Sequence, residues 1–417
     1  MRKMKDSGIE WIGEIPQEWK MTKVKKIFDI GRGRVIATTE LSDNGYPVFS
    51  SQTKNNGILG YIDTYDFDRS QLTWTTDGAN AGTVFIREGK HNCTNVCGTL
   101  MPKNNTNELK YLYYCLGYIA FFHKRADING YKIMNNEMAE IELLLPAIAE
   151  QQKISAFLDR KCTEIDSVIS KTKATIEEYK KLKQSVITQA VTKGIIPNRP
   201  MKDSIVEFND NIPIDWNEVK LKYLCYLRAR LGWRGLKADE YVESGYIFLS
   251  AFNIINNKLD FSEVNYINQF RYDESPEIKL RLGDILIVKD GAGIGKCAYI
   301  DYMPKESTPN GSLAVITPNN NLYGKYLYYF FLSNMFQNRI LQLKDGMGVP
   351  HLFQGDMREI IIPVPPKDEQ QEIVNYLDEK CSEIDKLIAK KEQLLTEMEN
   401  YKKAVIYEYV TGKKEVE

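Results

Sequence analysis

Apolar residues recur at alternating steps of four and three in two long stretches of the chain. The steps run from Leu158 to Ala190 in the first stretch and from Leu377 to Tyr409 in the second, with Glu and Lys at most other positions. This 3.5-residue spacing is typical of a coiled-coil seam, so each stretch is predicted to form one long helix. With about 40 residues at 1.5 Å each, such a helix would be roughly 60 Å long.

Polar residues interrupt both seams at matching places. They are Thr172 and Lys183 in the first stretch, and Lys391 and Lys402 in the second. Such interruptions reduce stability and usually fix the register or orientation of the helices. Asp166 and Asp385 each lie one residue beyond a seam isoleucine, and they are predicted to line the solvated face.

The regions in front of the two helices are predicted to contain many short strands. In one region the apolar run Asp284–Val288 is followed by a glycine-rich turn and by Cys297–Ile300. In the other, Leu72–Thr75 is followed by a turn with two glycines and by Thr83–Ile86. Strand, tight turn and strand make a hairpin, so both regions are predicted to be α/β (α+β) domains with sheets of mixed short strands.

The chain contains two copies of one unit of roughly 200 residues. Met4–Ser7 recurs as Met201–Ser204, and Glu150–Gln152 recurs as Glu369–Gln371. Each copy has a divergent front part and a closely similar tail. The predicted parts are a first globular domain at 1–147, a first helix at 148–195, a second globular domain at 196–366 and a second helix at 367–417.

Composition restricts the class of protein. Hydrophobic residues make up 43% and charged residues 27% of the chain, as in a soluble, well-packed protein. The formal net charge of −1 lacks the basic excess that phosphate neutralisation usually leaves in a nucleic-acid-binding protein. No apolar stretch is long enough to span a membrane. Seven scattered cysteines suit reduced thiols, so a cytoplasmic location is expected.

Sequence motifs for catalysis are incomplete. Gly291–Lys296 superficially suggests a phosphate-binding loop, but Asp290 occupies a position that the motif reserves for glycine, and a β-run rather than a helix follows. The Asn-Pro-Pro-aromatic run of an adenine methyltransferase is missing. A loose Asp…Glu-x-Lys nuclease pattern at positions 77, 88 and 90 uses common residue types, and one chance match is expected. The chain is therefore predicted to be non-catalytic.

A metal site is also not predicted. His91, Cys93 and Cys97 could be ligands, but no second Cys/His pair lies nearby to complete a set of four. The favoured interpretation is a pair of reduced cysteines in a strand region.

The polar and basic loops between the strands offer DNA-contact chemistry. Arginine reads guanine in bidentate fashion, asparagine reads adenine, and lysine and arginine hold phosphates. Any one such loop is more often plain solvated surface, but loops of this kind occur at similar places in both copies. The candidate DNA-binding residues are Arg32, Arg34, Lys54, Asn55, Asn56, Asn80, Lys132, Arg228, Arg230, Arg234, Asn253, Asn256, Lys296, Lys344 and His351.

Nearly the whole chain resembles the specificity subunit of type I restriction–modification enzymes. The resemblance rests on the glycine-containing hairpins, on apolar runs that end at Pro146 and Pro363, and on Glu-Gln-Gln at the start of each helix. It also rests on the Ile15-Pro16…Trp19 pattern. Gly346–Leu352 resembles a further segment of the family, whereas the first copy has only Gly130–Lys132 at that place.

The resemblance implies that this chain recognises DNA and that other subunits carry out the chemistry. Two target-recognition domains would each read one half of an asymmetric, bipartite site on double-stranded DNA, and the two helices would pack antiparallel and set the gap. Two methyltransferase subunits would dock on this chain and flip the target adenines. Endonuclease–translocase subunits would join for cleavage. S-adenosylmethionine, ATP and Mg²⁺ would be bound by these partners, and this chain would need no cofactor or metal.

Two alternatives belong to other classes. A stand-alone DNA nuclease or methyltransferase with a built-in specificity domain would need a complete catalytic motif. A purely structural coiled-coil protein would not need two divergent globular units.

Overall fold

The computed structural model describes residues 2–128, 130–206, 208–229, 236–291, 293–343 and 351–416. The contacts divide the chain into two units, Met1–Lys173 with Gln393–Glu417, and Ala174–Glu392. Each unit combines a mixed α/β domain with parts of the two long helices, which confirms the predicted fold class. The predicted domain limits stay predictions, because the two units divide both long helices near their middles.

The first copy contains fifteen described strands. They are β1 (Met4–Asp6), β2 (Glu14–Pro16), β3 (Lys20–Lys23), β4 (Phe28–Arg32), β5 (Tyr46–Phe49), β6 (Ile58–Ile62), β7 (Phe67–Asp68), β8 (Gln71–Thr75), β9 (Asp77–Gly78), β10 (Val84–Arg87), β11 (Lys90–Cys93), β12 (Cys97–Pro102), β13 (Arg125–Asp127), β14 (Gly130–Lys132) and β15 (Glu142–Leu145). The helices are α1 (Val24–Ile27), α2 (Leu109–Ile119), α3 (Asn135–Glu140) and α4 (Ile148–Lys193).

The second copy shares part of this order, but four shorter helices are described before its long helix where the first copy has three. Its strands are β16 (Met201–Asp203), β17 (Asn211–Pro213), β18 (Asn217–Lys220), β19 (Cys225–Arg228), β20 (Tyr246–Leu249), β21 (Ile254–Ile255), β22 (Lys258–Leu259), β23 (Asn265–Ile267), β24 (Ile285–Val288), β25 (Cys297–Tyr299), β26 (Ser307–Pro309), β27 (Leu313–Pro318) and β28 (Ile361–Val364). The helices are α5 (Gln269–Asp273), α6 (Gly324–Leu332), α7 (Asn334–Leu343), α8 (Gln354–Glu359) and α9 (Lys367–Val410).

Both copies build the same four-stranded antiparallel sheet. Its strand order is β10-β8-β12-β4 in the first copy and β25-β24-β27-β19 in the second. The register of the two hairpins also agrees. Val84 pairs with Trp74 in the first copy and Cys297 pairs with Ile287 in the second, and both residues of the second pair lie equally far along the chain from their counterparts in the first. These pairings confirm the two predicted hairpins. A second sheet in each copy contains one parallel pair, β5 with β11 and β20 with β26.

The Glu-Gln-Gln motif at the start of each long helix forms hydrogen bonds with buried groups in the core of its domain. In the first copy the indole Nε1 of the fully buried Trp19 donates to Glu150 at 3.2 Å, and Gln151 donates to the carbonyl of Pro146 at 2.9 Å. Trp216 and Glu369 repeat the first contact at 2.9 Å. Because an unpaired buried polar group is costly, these contacts explain why the motif occurs in both copies.

The two long helices pack antiparallel in each unit. In the first, Lys402 Nζ lies 2.7 Å from the Asp166 carboxylate, and in the second Lys183 lies 2.7 Å from Asp385. The aspartates are about half exposed, as a solvated face requires, but each also pairs with a seam lysine of the other helix. No described helix is long and apolar enough to cross a membrane.

Candidate nucleic-acid interface

Several predicted residues of the first domain lie along one connected surface. Asn80 Nδ2 donates to Thr53 Oγ1 at 3.3 Å, at the loop that carries Lys54. Strand β9 ends just before Asn80, and it pairs with β14 so that Lys132 lies opposite Asp77. Helix α3 begins shortly after Lys132, and Arg32 reaches it. The backbone thus brings these separate segments together.

Arg32 completes this surface at the end of β4. Its Nε donates to Asn135 Oδ1 at 3.1 Å, and the side chain is exposed. Lys132 Nζ lies 2.7 Å from Asp127, and this hydrogen bond lowers the pKa of the Asp127 carboxyl.

The loop between β5 and β6 has an unusual backbone. Asn55 and Asn56 both adopt left-handed conformations, with φ of 48° and 52°, and both are exposed together with Lys54. The amide of Ser50 donates to the carbonyl of Gly57 at 3.0 Å and closes the loop at its base. Two neighbouring carboxamides and an ammonium group are thereby presented to solvent, and amides of this kind can read adenine edges.

Arg34 lies with a different set of residues. Its backbone bridges to Thr94, and its Nε lies 3.1 Å from an Asp66 carboxylate oxygen. Glu40 is 3.8 Å away. Arg34 is thus largely neutralised within the domain, and its predicted contact with DNA stays a prediction.

In the second domain, His351 takes the place that Lys132 has in the first. Its backbone bridges to Asp290, the counterpart of Asp77 in the repeat, and its Nδ1 is 2.7 Å from the Asp290 carboxylate. Leu352 donates to the carbonyl of Lys289 as Ile133 donates to that of Thr76. His351 and Leu352 are therefore equivalent in backbone pairing to Lys132 and Ile133, although the residue types differ.

Asn256 lies at the tip of the short hairpin formed by β21 and β22. It and Asn257 have φ of 51° and 59°, so this turn is another left-handed Asn pair. Lys296, exposed just before β25, also offers a positive charge to solvent. Asn256 and Lys296 stay candidates for DNA contact.

Arg228 and Asn253, by contrast, are buried and serve the core of the second domain. Arg228 Nη2 lies 3.0 Å from Asp284, and its Nη1 donates to the carbonyl of Glu277 at 2.9 Å. Asn253 Nδ2 donates to the carbonyl of Glu263 at 2.9 Å. The hydrogen bonds of both side chains are made within the domain, and their predicted contact with DNA stays a prediction.

Three further candidates, Arg230, Arg234 and Lys344, lie outside the described residues, as does the segment Gly346–Pro350. Sequence reasoning missed Arg87, which is 1% exposed and lies beneath the loop of Asn55 and Asn56. Burial lowers the pKa of its guanidinium to about 10, so the group keeps its charge at neutral pH. An arginine at a strand end carries no local sequence signal that marks it as buried.

The candidates for catalysis and metal binding lie in structural positions. Gly291 is followed by a tight turn and the strand β25, as predicted for a hairpin. His91 is fully buried, with its ring nitrogens 2.8 Å from the Gln71 side chain and from the Gly89 carbonyl. Within the described ranges, no group of three or more His, Cys, Asp or Glu side chains is arranged to hold a metal ion.

Comparison with known proteins gives a consistent set of relatives. The family described as type I restriction modification DNA specificity domain matches residues 16–178 and 213–397. The MjaVIII type I restriction enzyme specificity subunit of Methanocaldococcus jannaschii is 24% identical over 413 residues, covering 96% of this chain and 93% of the relative. The N-terminus of a putative type I specificity subunit of Mycoplasma pneumoniae is 44% identical over 144 residues, covering 34% of this chain and 76% of the relative.

One solved structure has the same fold. A chain from a study of complex assembly and conformational transition of the type I R-M system aligns with a TM-score of 0.71. The alignment covers 96% of this chain and 99% of that chain at 15% identity. The likeness therefore extends over both copies and both long helices.

Proposed function

This chain belongs to the type I restriction modification DNA specificity family, and we propose that each of its two domains reads one half of a bipartite, asymmetric DNA site. The observation that carries the proposal is the repeat itself. The two domains have the same central sheet in the same register, whereas the residues at the loops differ between the copies. One scaffold with two different sets of loops is suited to reading two different half-sequences. The comparisons give no support to a stand-alone nuclease or methyltransferase.

The net charge of the chain supports a contribution of other subunits to DNA binding. The chain has a net charge of −1, so counterion release by this chain alone supplies little affinity for DNA. We infer that partner subunits provide much of the phosphate contact. In this proposal two methyltransferase subunits dock on the chain and bind S-adenosylmethionine, and endonuclease–translocase subunits bind ATP and Mg²⁺. This chain itself binds no cofactor.

The proposal is tested by a methylation assay on mixed-sequence DNA. The purified chain alone is expected to transfer no methyl groups. Addition of the adenine methyltransferase subunits of its own system is expected to produce methylated adenines in one split motif. Methylation by the chain alone would instead show a built-in enzyme, and methylation of a continuous motif would contradict reading by two separate domains.

A matched lengthening of the helices is expected to widen the gap between the half-sites. Asp166 and Lys183 enclose a stretch of α4 that is as long as the stretch of α9 between their partners, Asp385 and Lys402. Insertion of about two helical turns within 171–178, with an equal insertion within 390–397, keeps both ion pairs and should lengthen the gap by at least one base pair. The methylated motif gives the measurement.

The matched control is the insertion in α4 alone. It leaves the stretches between the ion pairs unequal, so we expect a lower melting temperature together with a less uniform gap. Both half-sequences should be unchanged in either variant. A change in a half-sequence at constant gap would show that the helices do not act as the spacer.

A further inference from the structure

Each domain contains one pair of successive asparagines with left-handed backbone. Six non-glycine residues with positive φ occur in the described part of the chain, and four of them form these two pairs, Asn55–Asn56 and Asn256–Asn257. Left-handed backbone is unfavourable for residues with a Cβ, although asparagine tolerates it better than most. Two left-handed residues in succession form a tight hairpin-type turn in which asparagine is a preferred residue, so each domain presents one such turn.

Arg87 holds the first pair from beneath. Its Nη1 donates to the carbonyl of Asn56 at 2.7 Å, and its Nε donates to Thr73 Oγ1 at 3.0 Å. The guanidinium lies 3.6 Å from the centre of the Phe49 ring. A charged donor makes a stronger hydrogen bond than a neutral one, particularly where water is excluded. The carbonyl is therefore held firmly.

The burial of Arg87 is costly for the domain. No carboxylate among the described residues lies within ion-pair distance of it, and its Nη2 is buried without a hydrogen-bond partner. The fit is also tight, since a Cβ at Gly57 would lie 2.8 Å from Nη2. A buried, unpaired cation of this kind reduces stability, so a benefit other than stability is needed to explain it.

The second copy shows that the fold does not require the charge. The register of the central sheet places Ile300 where the first copy has Arg87, and Ile300 is fully buried. An apolar residue thus completes the same sheet. The loop that contacts Arg87 in the first copy differs from the corresponding loop in the second. This difference indicates that the charge of Arg87 holds the loop in place.

Tyr328 performs the corresponding task in the second domain. Its hydroxyl donates to the carbonyl of Asn257 at 2.9 Å, and the amide of Cys297 donates to Asn257 Oδ1 at 3.4 Å. In each domain, therefore, the second asparagine of the pair has its carbonyl bound by a side chain from the core. The residue that does this differs between the copies.

We propose that Arg87 and Tyr328 are positioning residues for DNA recognition, each of which holds the left-handed Asn pair of its own domain in the conformation that reads bases. The inference rests on the proposed function. In this proposal the asparagine amides contact base edges, whereas Arg87 and Tyr328 bind the loop carbonyls and do not themselves contact DNA. Each should affect one half-site and leave the other intact.

Four substitutions in the full chain, assembled with the methyltransferase subunits, test this proposal. Arg87→Ile inserts the residue of the second copy and is expected to fold, because a buried isoleucine occupies the equivalent position of the second sheet. Arg87→Lys keeps the charge but lacks the fork that reaches Thr73 and Asn56 together. Tyr328→Phe removes one hydroxyl. Tyr326→Phe is its matched control, since Tyr326 donates to the carbonyl of Pro363 in the core.

The readout is the methylated motif at single-base resolution, with the thermal transition measured in parallel. Both Arg87 variants should lower discrimination at one or two positions of the first half-site by about ten- to a hundredfold. Tyr328→Phe should do the same in the second half-site alone. Tyr326→Phe should lower the melting temperature without altering the motif.

Two results would overturn the inference. One is an unchanged motif in each Arg87 variant and in Tyr328→Phe while the thermal transition is retained. The other is relaxed discrimination that occurs only in variants that have lost folding. A wild-type complex that methylates no split motif would instead refute the proposed function, so the two failures are distinguishable.

Discussion

Asp284→Ala is expected to reduce the free energy of unfolding of the second domain by about 3–5 kcal/mol, the usual effect of removing one partner of a buried ion pair. The Asp284 side chain is fully buried, and that of Arg228 is 8% exposed. Asp284 also accepts hydrogen bonds from the Arg281 amide and the Thr317 hydroxyl. Its removal leaves a buried guanidinium without a counter-charge, and the measurement is denaturant-induced unfolding of the full chain.

Two controls separate burial from charge. Asp273→Ala removes an exposed partner of Lys279 in the same domain and should reduce the free energy of unfolding far less, because exposed ion pairs contribute little to stability. The double substitution Arg228→Met with Asp284→Leu replaces the pair by apolar groups and should restore most of the stability. If the double variant is stable but has lost binding to the second half-site, Arg228 or Asp284 contributes to DNA binding in addition to its contacts in the core.

Exchange of the first domain is expected to have the largest effect on recognition. Replacement of residues 1–145 by the same region of a family member should replace one half-sequence of the methylated motif completely. The second half-sequence and the gap should stay as they are, because the second domain has its own sheet and its own core. The motif of the exchanged complex is determined by sequencing methylated DNA.

A reciprocal exchange of the second domain is the matched control. It should replace only the other half-sequence. Simultaneous change of both halves in either chimera would mean that the domains do not read DNA independently.

The long helices and the hairpins could be predicted because their signals are local. The 3.5-residue period from Leu158 to Ala190 depends only on neighbours in sequence, and α4 spans Ile148–Lys193 as a single helix. The turn around Gly291 could be separated from a phosphate-binding loop for the same reason, since a strand follows it directly.

The contacts of individual side chains could not be predicted, because they depend on residues far away in sequence. Arg228 appeared to belong to a basic loop, but its partner Asp284 lies 56 residues further on. Arg87 likewise acts on Asn56, 31 residues before it. The equivalence of Lys132 and His351 was hidden as well, since it is a property of backbone pairing and not of residue type.

The paired charges of the helices affect how such a protein can evolve. Asp166 and Lys183 belong to one copy, and their partners Lys402 and Asp385 belong to the other, so a charge reversal at any of the four positions is best compensated by a change in the other copy. The two Asn pairs are held by residues of their own domains and face no such requirement. Natural variation should therefore accumulate in the loops, which lets the protein acquire new target sequences while the two long helices stay the same.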